Sequence, residues 1–128
     1  MHQEFKYYTM SDEVKNKIVS TIREVLNKEN NILLAILFGS FIELKTFRDI
    51  DLAIYTLNKS LNYITELSLM LEEMIKIPID VVPIDEVSAR FRRYILTKGK
   101  VILEKYPGMY EALLIMTLDE LRREELVT

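Results

Sequence analysis

Two aspartates with one apolar residue between them, Asp49 and Asp51, stand at the start of the apolar run that ends the stretch FGSFIELKTFRDIDLAIY (residues 38–55). In a strand, residues two apart point to the same face, so these carboxylates lie close together. Like charges that close repel, and burial strengthens the repulsion, so something positive is expected between them. A hard divalent cation is the simplest candidate, and Mg²⁺ typically uses one or two carboxylates together with substrate phosphates. Alone, a D-x-D is common, and Asp49 capping a strand end with Asp51 facing water is the bland reading. The stretch IPIDVVPI adds Asp80, the only polar residue in its run. A carboxylate there needs a partner, such as Arg48 or Lys76, or a raised pKa. If the strands of Asp51 and Asp80 are neighbours, three carboxylates converge. That geometry suits two-metal phosphoryl or nucleotidyl transfer.

Gly39 and Ser40 precede the pair. Glycine lets the backbone turn sharply and approach a ligand closely. Its N–H and that of Ser40, with the serine hydroxyl, are donors for a phosphate. Alone, Gly-Ser is an ordinary strand-to-loop glycine; before three aspartates it becomes a candidate nucleotide-binding pair. Lys45 and Arg48, in the loop between, can add positive charge.

These residues need elements to hold them. Ser11-Asp12-Glu13 is an N-cap with acidic residues in the first turn. Val14, Ile18, Ile22, Val25 and Leu26 follow at helical spacing, which predicts an amphipathic helix over residues 12–28. Ile32–Phe38 is a short apolar run ended by Gly39, and reads as a buried strand. Residues 41–47 read as a loop or short helical turn, and 49–55 as a second strand whose packed face carries Ile50, Leu52 and Ile54. Ser60 caps a second helix striped by Leu61, Ile64, Leu67, Leu71 and Ile75, which Pro78 stops. Residues 79–82 form a third strand. Asp85 is expected to cap a helix reaching about Thr97 and ended by Gly99, and 101–103 form a fourth strand. Pro107 suits the first turn of a last helix running to about Glu125. Helices flanking a small mixed sheet, an α+β fold, is the natural architecture.

The whole chain sets bounds. Its 128 residues suit one domain over 1–128, with a core at about 12–105 and a C-terminal helix at about 107–125. Apolar residues make up 49% and charged residues 29%, an ordinary globular balance, and the net charge of -3 argues against a polyanion-coating, nucleic-acid-binding protein. No cysteine is present, so disulfides and thiolate chemistry are excluded, as suits a reducing cytoplasm. The apolar runs are too short to span a bilayer. His2 is the only histidine and sits in the terminus, which leaves no imidazole catalysis.

Together, F-G-S, a loop, D-I-D-L-A-I-Y and the later strand aspartate resemble the minimal nucleotidyltransferases of the polymerase-beta-like superfamily. The resemblance covers roughly residues 12–105, and R-R-Y-I-L-T-K-G-K-V-I-L-E is also similar to these small proteins. It implies the polymerase-beta-like nucleotidyltransferase fold. It further implies that Gly39 and Ser40 hold the phosphates of ATP or another nucleoside triphosphate. Asp49, Asp51 and Asp80 would bind Mg²⁺, and Asp80 would help deprotonate the attacking hydroxyl. The family's loop normally carries glycine, whereas residues 41–48 have none. A minimal member has little chain for an acceptor site. The usual partner in the family is a small helical HEPN-domain protein, often a ribonuclease toxin, with the nucleotidyltransferase as antitoxin, in some systems by adenylylating a toxin tyrosine.

Two stretches suit a partner surface. Between 87 and 103 lie Arg90, Arg92, Arg93, Lys98 and Lys100 with no acid. Arg90 and Arg93 share a helix face and are candidate phosphate or partner contacts, while Phe91 and Ile95 are expected to pack inward; a solvated face is the bland alternative. ALLIMTL (residues 112–118) is apolar around much of its helix and belongs in the core, a homo-oligomer or a partner interface. Tyr7 and Tyr8 are candidate modification targets, with a docked or disordered tail as the plainer reading. A fold that binds and occludes its partner without catalysis, and a homodimer acting on a small molecule, are the competing functions.

Overall fold

The computed structural model describes residues 6–127, so His2 lies outside it. In chain order the elements are β1 (Tyr8–Thr9), α1 (Asp12–Asn27), β2 (Ile32–Phe38), α2 (Ser40–Glu43), β3 (Thr46–Phe47), β4 (Ile50–Thr56), α3 (Leu61–Ile75), β5 (Ile79–Pro83), α4 (Ala89–Lys98), β6 (Lys100–Glu104) and α5 (Met109–Val127). Four strands form a mixed sheet in the order β5-β4-β2-β6. The β4–β5 pair is parallel, and β2 is antiparallel to both β4 and β6. β1 and β3 form a separate two-stranded antiparallel ribbon.

The sheet is covered on both faces. Alternation along β2 sends Ala35 and Leu37 to one cluster, with α1 and α3, and Leu34, Ile36 and Phe38 to the other, with α4 and α5. A register irregularity between Ile32 and Leu34 returns Ile32 to the first cluster. Ile50, Leu52 and Ile54 of β4 pack as expected, but Ala53 is buried on the opposite face as well. Asp51 shares that face, so the aspartates lie at the end of a covered surface and not on an open one.

Most helix starts follow their serines. The Ser11 and Ser60 side chains accept from the Val14 and Tyr63 N–H groups. Expectation fails at α4. Ser88 is its cap, accepting from the Phe91 N–H at 3.2 Å, and Asp85 pairs with Lys59 instead. The last helix starts at Met109, beyond Pro107, after Gly108 at φ 94°. On α1 the buried stripe is Val19, Ile22 and Leu26, while Val14 is exposed, because the helix turns a slightly different face to the sheet.

Arg92 is buried and spans α4 and its surroundings. Its guanidinium donates to the Ile84 and Val87 carbonyls, each at 2.9 Å, and to Glu120 of α5 at 2.9 Å. It is therefore an internal brace and leaves the basic surface suggested by its neighbours. Phe91, expected inward, is part-exposed, and Arg92 takes the inward position with Ala89, Ile95 and Leu96. ALLIMTL divides: Leu113 and Thr117 are buried, and Ile115, Met116 and Leu118 are exposed. No helix among the described residues is long and apolar enough to cross a membrane.

Candidate active site

The site forms where β2 ends and β4 and β5 begin. Antiparallel pairing sets Phe38 opposite Asp51, and parallel pairing sets Asp51 opposite Asp80. Asp49 precedes β4, two residues from Asp51 and so on its side of the chain. The result is a cluster in which Asp49, Asp51 and Asp80 each offer a carboxylate oxygen within 4.8 Å of the others.

That clustering is costly without a counter-charge. Burial first, and then the charges of Asp49 and Asp80, push the Asp51 carboxyl up to about 6. Asp80 is raised too, by lost solvation first and then by Asp49 and Glu72. Its surface is exposed at the sheet edge, yet the strands around it still cost its charge some hydration. Glu72 is held close by accepting from the Ile79 N–H at 2.9 Å. An all-oxygen donor set carrying excess negative charge fits a hard divalent cation.

Gly39 sits against this cluster at φ 77° and ψ -157°, a conformation that L side chains rarely adopt. A Cβ at this position would overlap the Asp51 carboxylate. The glycine thus meets two demands, the turn out of β2 and the close approach to Asp51. Ser40 opens the helical turn α2 directly after it.

The segment between Ser40 and Asp49 is ordered by its own contacts. Phe41 and Phe47 are buried and meet edge to face at 4.9 Å. Lys15 of α1 donates to the Phe41 and Leu44 carbonyls at 2.8 and 2.9 Å, closing the end of α2. β3 is held by β1, with Tyr8 stacked on Phe47. Eight residues without glycine therefore suffice for a helical turn and a short strand.

The candidate cations distribute unevenly. Lys45 is exposed on this segment. Arg48 is exposed, adjoins Asp49 in sequence and lies over the Tyr7 ring at 5.9 Å. Arg90 and Arg93 instead line a groove of about 360 Å³ with Leu121, Glu124 and Glu125 of α5.

Sequence reasoning missed Tyr94 and Glu43. The Tyr94 hydroxyl donates to the Glu43 carboxylate, tying α4 to α2. That bond, then burial, then the charges of Glu43 and Asp51 raise the Tyr94 phenol's pKa. The one available signal was the three-residue spacing of Phe91 and Tyr94, which places both rings on one helix face.

Comparisons with known proteins agree with this geometry. Residues 20–107 match the family described as "Polymerase beta, Nucleotidyltransferase". No curated protein sequence matches the chain. Among solved structures, a chain in the complex of tri-AMPylated Shewanella oneidensis HEPN toxin with MNT antitoxin is similar at TM-score 0.74 and 19% identity, over 88% of this chain and 90% of that one. A chain of the toxin-antitoxin MntA-HepT gives 0.67 at 20% identity, over 91% of each. A toxin-antitoxin with AMP-PNP gives 0.71 at 22% identity, over 88% of this chain and 90% of that one. At these identities the likeness is one of fold.

Proposed function

The chain belongs to the polymerase beta nucleotidyltransferase family, and on that premise we propose that it transfers AMP from ATP to a hydroxyl of a HEPN-domain partner, as the antitoxin of a toxin-antitoxin pair, using Mg²⁺. The observation that carries the reading is the convergence of Asp49, Asp51 and Asp80 beside Gly39. The fold neighbours whose descriptions name an MNT antitoxin with an AMPylated HEPN toxin, and a toxin-antitoxin with AMP-PNP, support the choice of acceptor and donor.

In this reading the Gly39 backbone and the Ser40 N–H and hydroxyl hold the phosphates, with Lys45 and Arg48 as the nearest cations in the sequence. Asp49, Asp51 and Asp80 hold Mg²⁺, which when bound neutralises charge building on the α-phosphate and eases ionisation of the acceptor hydroxyl. Asp80, accessible at the sheet edge and with a raised pKa, takes the acceptor's proton. The acceptor oxygen bonds to the α-phosphorus as the bond to the leaving pyrophosphate breaks. Ile115, Met116 and Leu118, exposed on α5, offer an apolar surface to a helical partner. The absence of cysteine suits the reducing cytoplasm in which we place the pair.

Labelled ATP tests the reading. With Mg²⁺ and the HEPN-domain partner, label on the α-phosphate is expected to enter the partner and label on the γ-phosphate to leave with pyrophosphate. Entry of the γ label, or of neither, overturns it.

A further inference from the structure

On the face of α4 that meets the end of β2, Phe91 and Tyr94 form an exposed aromatic surface that no part of the reaction has yet used. The rings are nearly parallel, at 10°, with centroids 6.2 Å apart. Both are nearly perpendicular to the buried Phe38 ring, with centroids at 5.6 and 6.3 Å. Each is more than a third exposed, although a core cluster lies directly behind it. Two relationships fix their place. Phe38 precedes Gly39 and is the register partner of Asp51. The Tyr94 hydroxyl is tied to Glu43 of α2. The rings are thus set before any ligand arrives, beside the loop proposed to hold the phosphates.

We propose that Phe91 and Tyr94 are the shelf on which the base of the nucleoside triphosphate stacks. The inference rests on the nucleotidyltransferase reading and adds the subsite for the base. The rings meet Phe38, which precedes Gly39 and pairs with Asp51, so they border the site proposed to hold the triphosphate. Aromatic stacking suits any base, because every base has a π-face. The shelf therefore contributes affinity while discriminating weakly among bases. The same rings could serve an aromatic side chain of the acceptor, and that occupant would leave nucleotide affinity untouched.

Calorimetry in Mg²⁺ separates these outcomes, with ATP and ribose 5′-triphosphate titrated into the wild type and into Phe91→Leu. The wild type is expected to bind ATP at least about 5-fold more tightly than ribose triphosphate. Phe91→Leu should lose most of that advantage and keep the ribose triphosphate affinity. The shelf is overturned if the wild type binds both ligands equally, if the variant weakens both alike, or if its ATP affinity is unchanged. Binding of neither ligand by the wild type overturns the triphosphate reading and the shelf together. Quenching of a 2-aminopurine riboside triphosphate by the wild type gives a second readout that needs no folded variant. Quenching on binding is expected, and binding without quenching contradicts the shelf.

Discussion

Asp51 and Asp80 face each other as register partners across the parallel pair of β4 and β5. Parallel neighbours place these residues side by side at the same level of the sheet. Asp49, two residues before Asp51, completes a cluster whose carboxylate oxygens lie within 4.8 Å. The fold accepts mutual repulsion here, which fits the cation site proposed for these residues, since the same charges placed apart would cost less.

Removing one charge should therefore help the metal-free fold and end the reaction. Asp51→Asn is expected to raise the thermal midpoint without divalent cation and to lower transfer by on the order of 10²-fold or more. Unfolding scans paired with a transfer assay check both halves; a destabilised variant would show that Asp51 holds the fold together.

The pH dependence has a definite sign. The Asp51 carboxyl is at about 6 when folded, against an ordinary 3.8. Between these values the native state holds a proton that the unfolded chain has released. Its contribution to stability is present below 3.8 and lost as pH rises through about 6. The stability difference between Asp51→Asn and wild type should thus grow from pH 4 towards about 7 and then level off. Divalent-cation affinity should fall below about pH 6, where the proton competes. Denaturant titrations and metal titrations across this range measure the two trends.

Gly39→Ala combines backbone strain with overlap on the Asp51 carboxylate. A loss of about 1–3 kcal/mol is expected from the conformation alone. Urea unfolding gives that figure, and nucleotide titration should show weakened binding in whatever fraction stays folded.

Arg92→Leu leaves the Ile84 and Val87 carbonyls without their donor. A cost of about 2–3 kcal/mol is expected, with Arg92→Lys rescuing little, because one ammonium cannot reproduce the guanidinium fork. Hydrogen exchange should show the loosening centred on α4 and α5.

Much of this was legible in the sequence, where local chemistry decides. The D-x-D spacing, the Gly-Ser before it and the caps at Ser11 and Ser60 are local signals. So is the apolar run of β2, though its irregularity at Ile32 is not. Asp80 stood out as the only charge in an apolar run; that it faces Asp51 depends on strand order. The α4 cap was misread because Asp85 and Ser88 are both good caps, and the ion pair with Lys59 draws Asp85 away. Arg92 looked like surface charge because its partners lie on other segments, Glu120 among them. The Tyr94–Glu43 bond joins residues 51 positions apart, so no window of sequence contains it.

The most direct test of the central claim is the intact mass of the HEPN-domain partner after incubation with this protein, ATP and Mg²⁺. The expected result is a gain equal to a whole number of AMP groups with wild type and none with Asp49→Asn. No gain with folded wild-type protein, or the same gain with the variant, would contradict it.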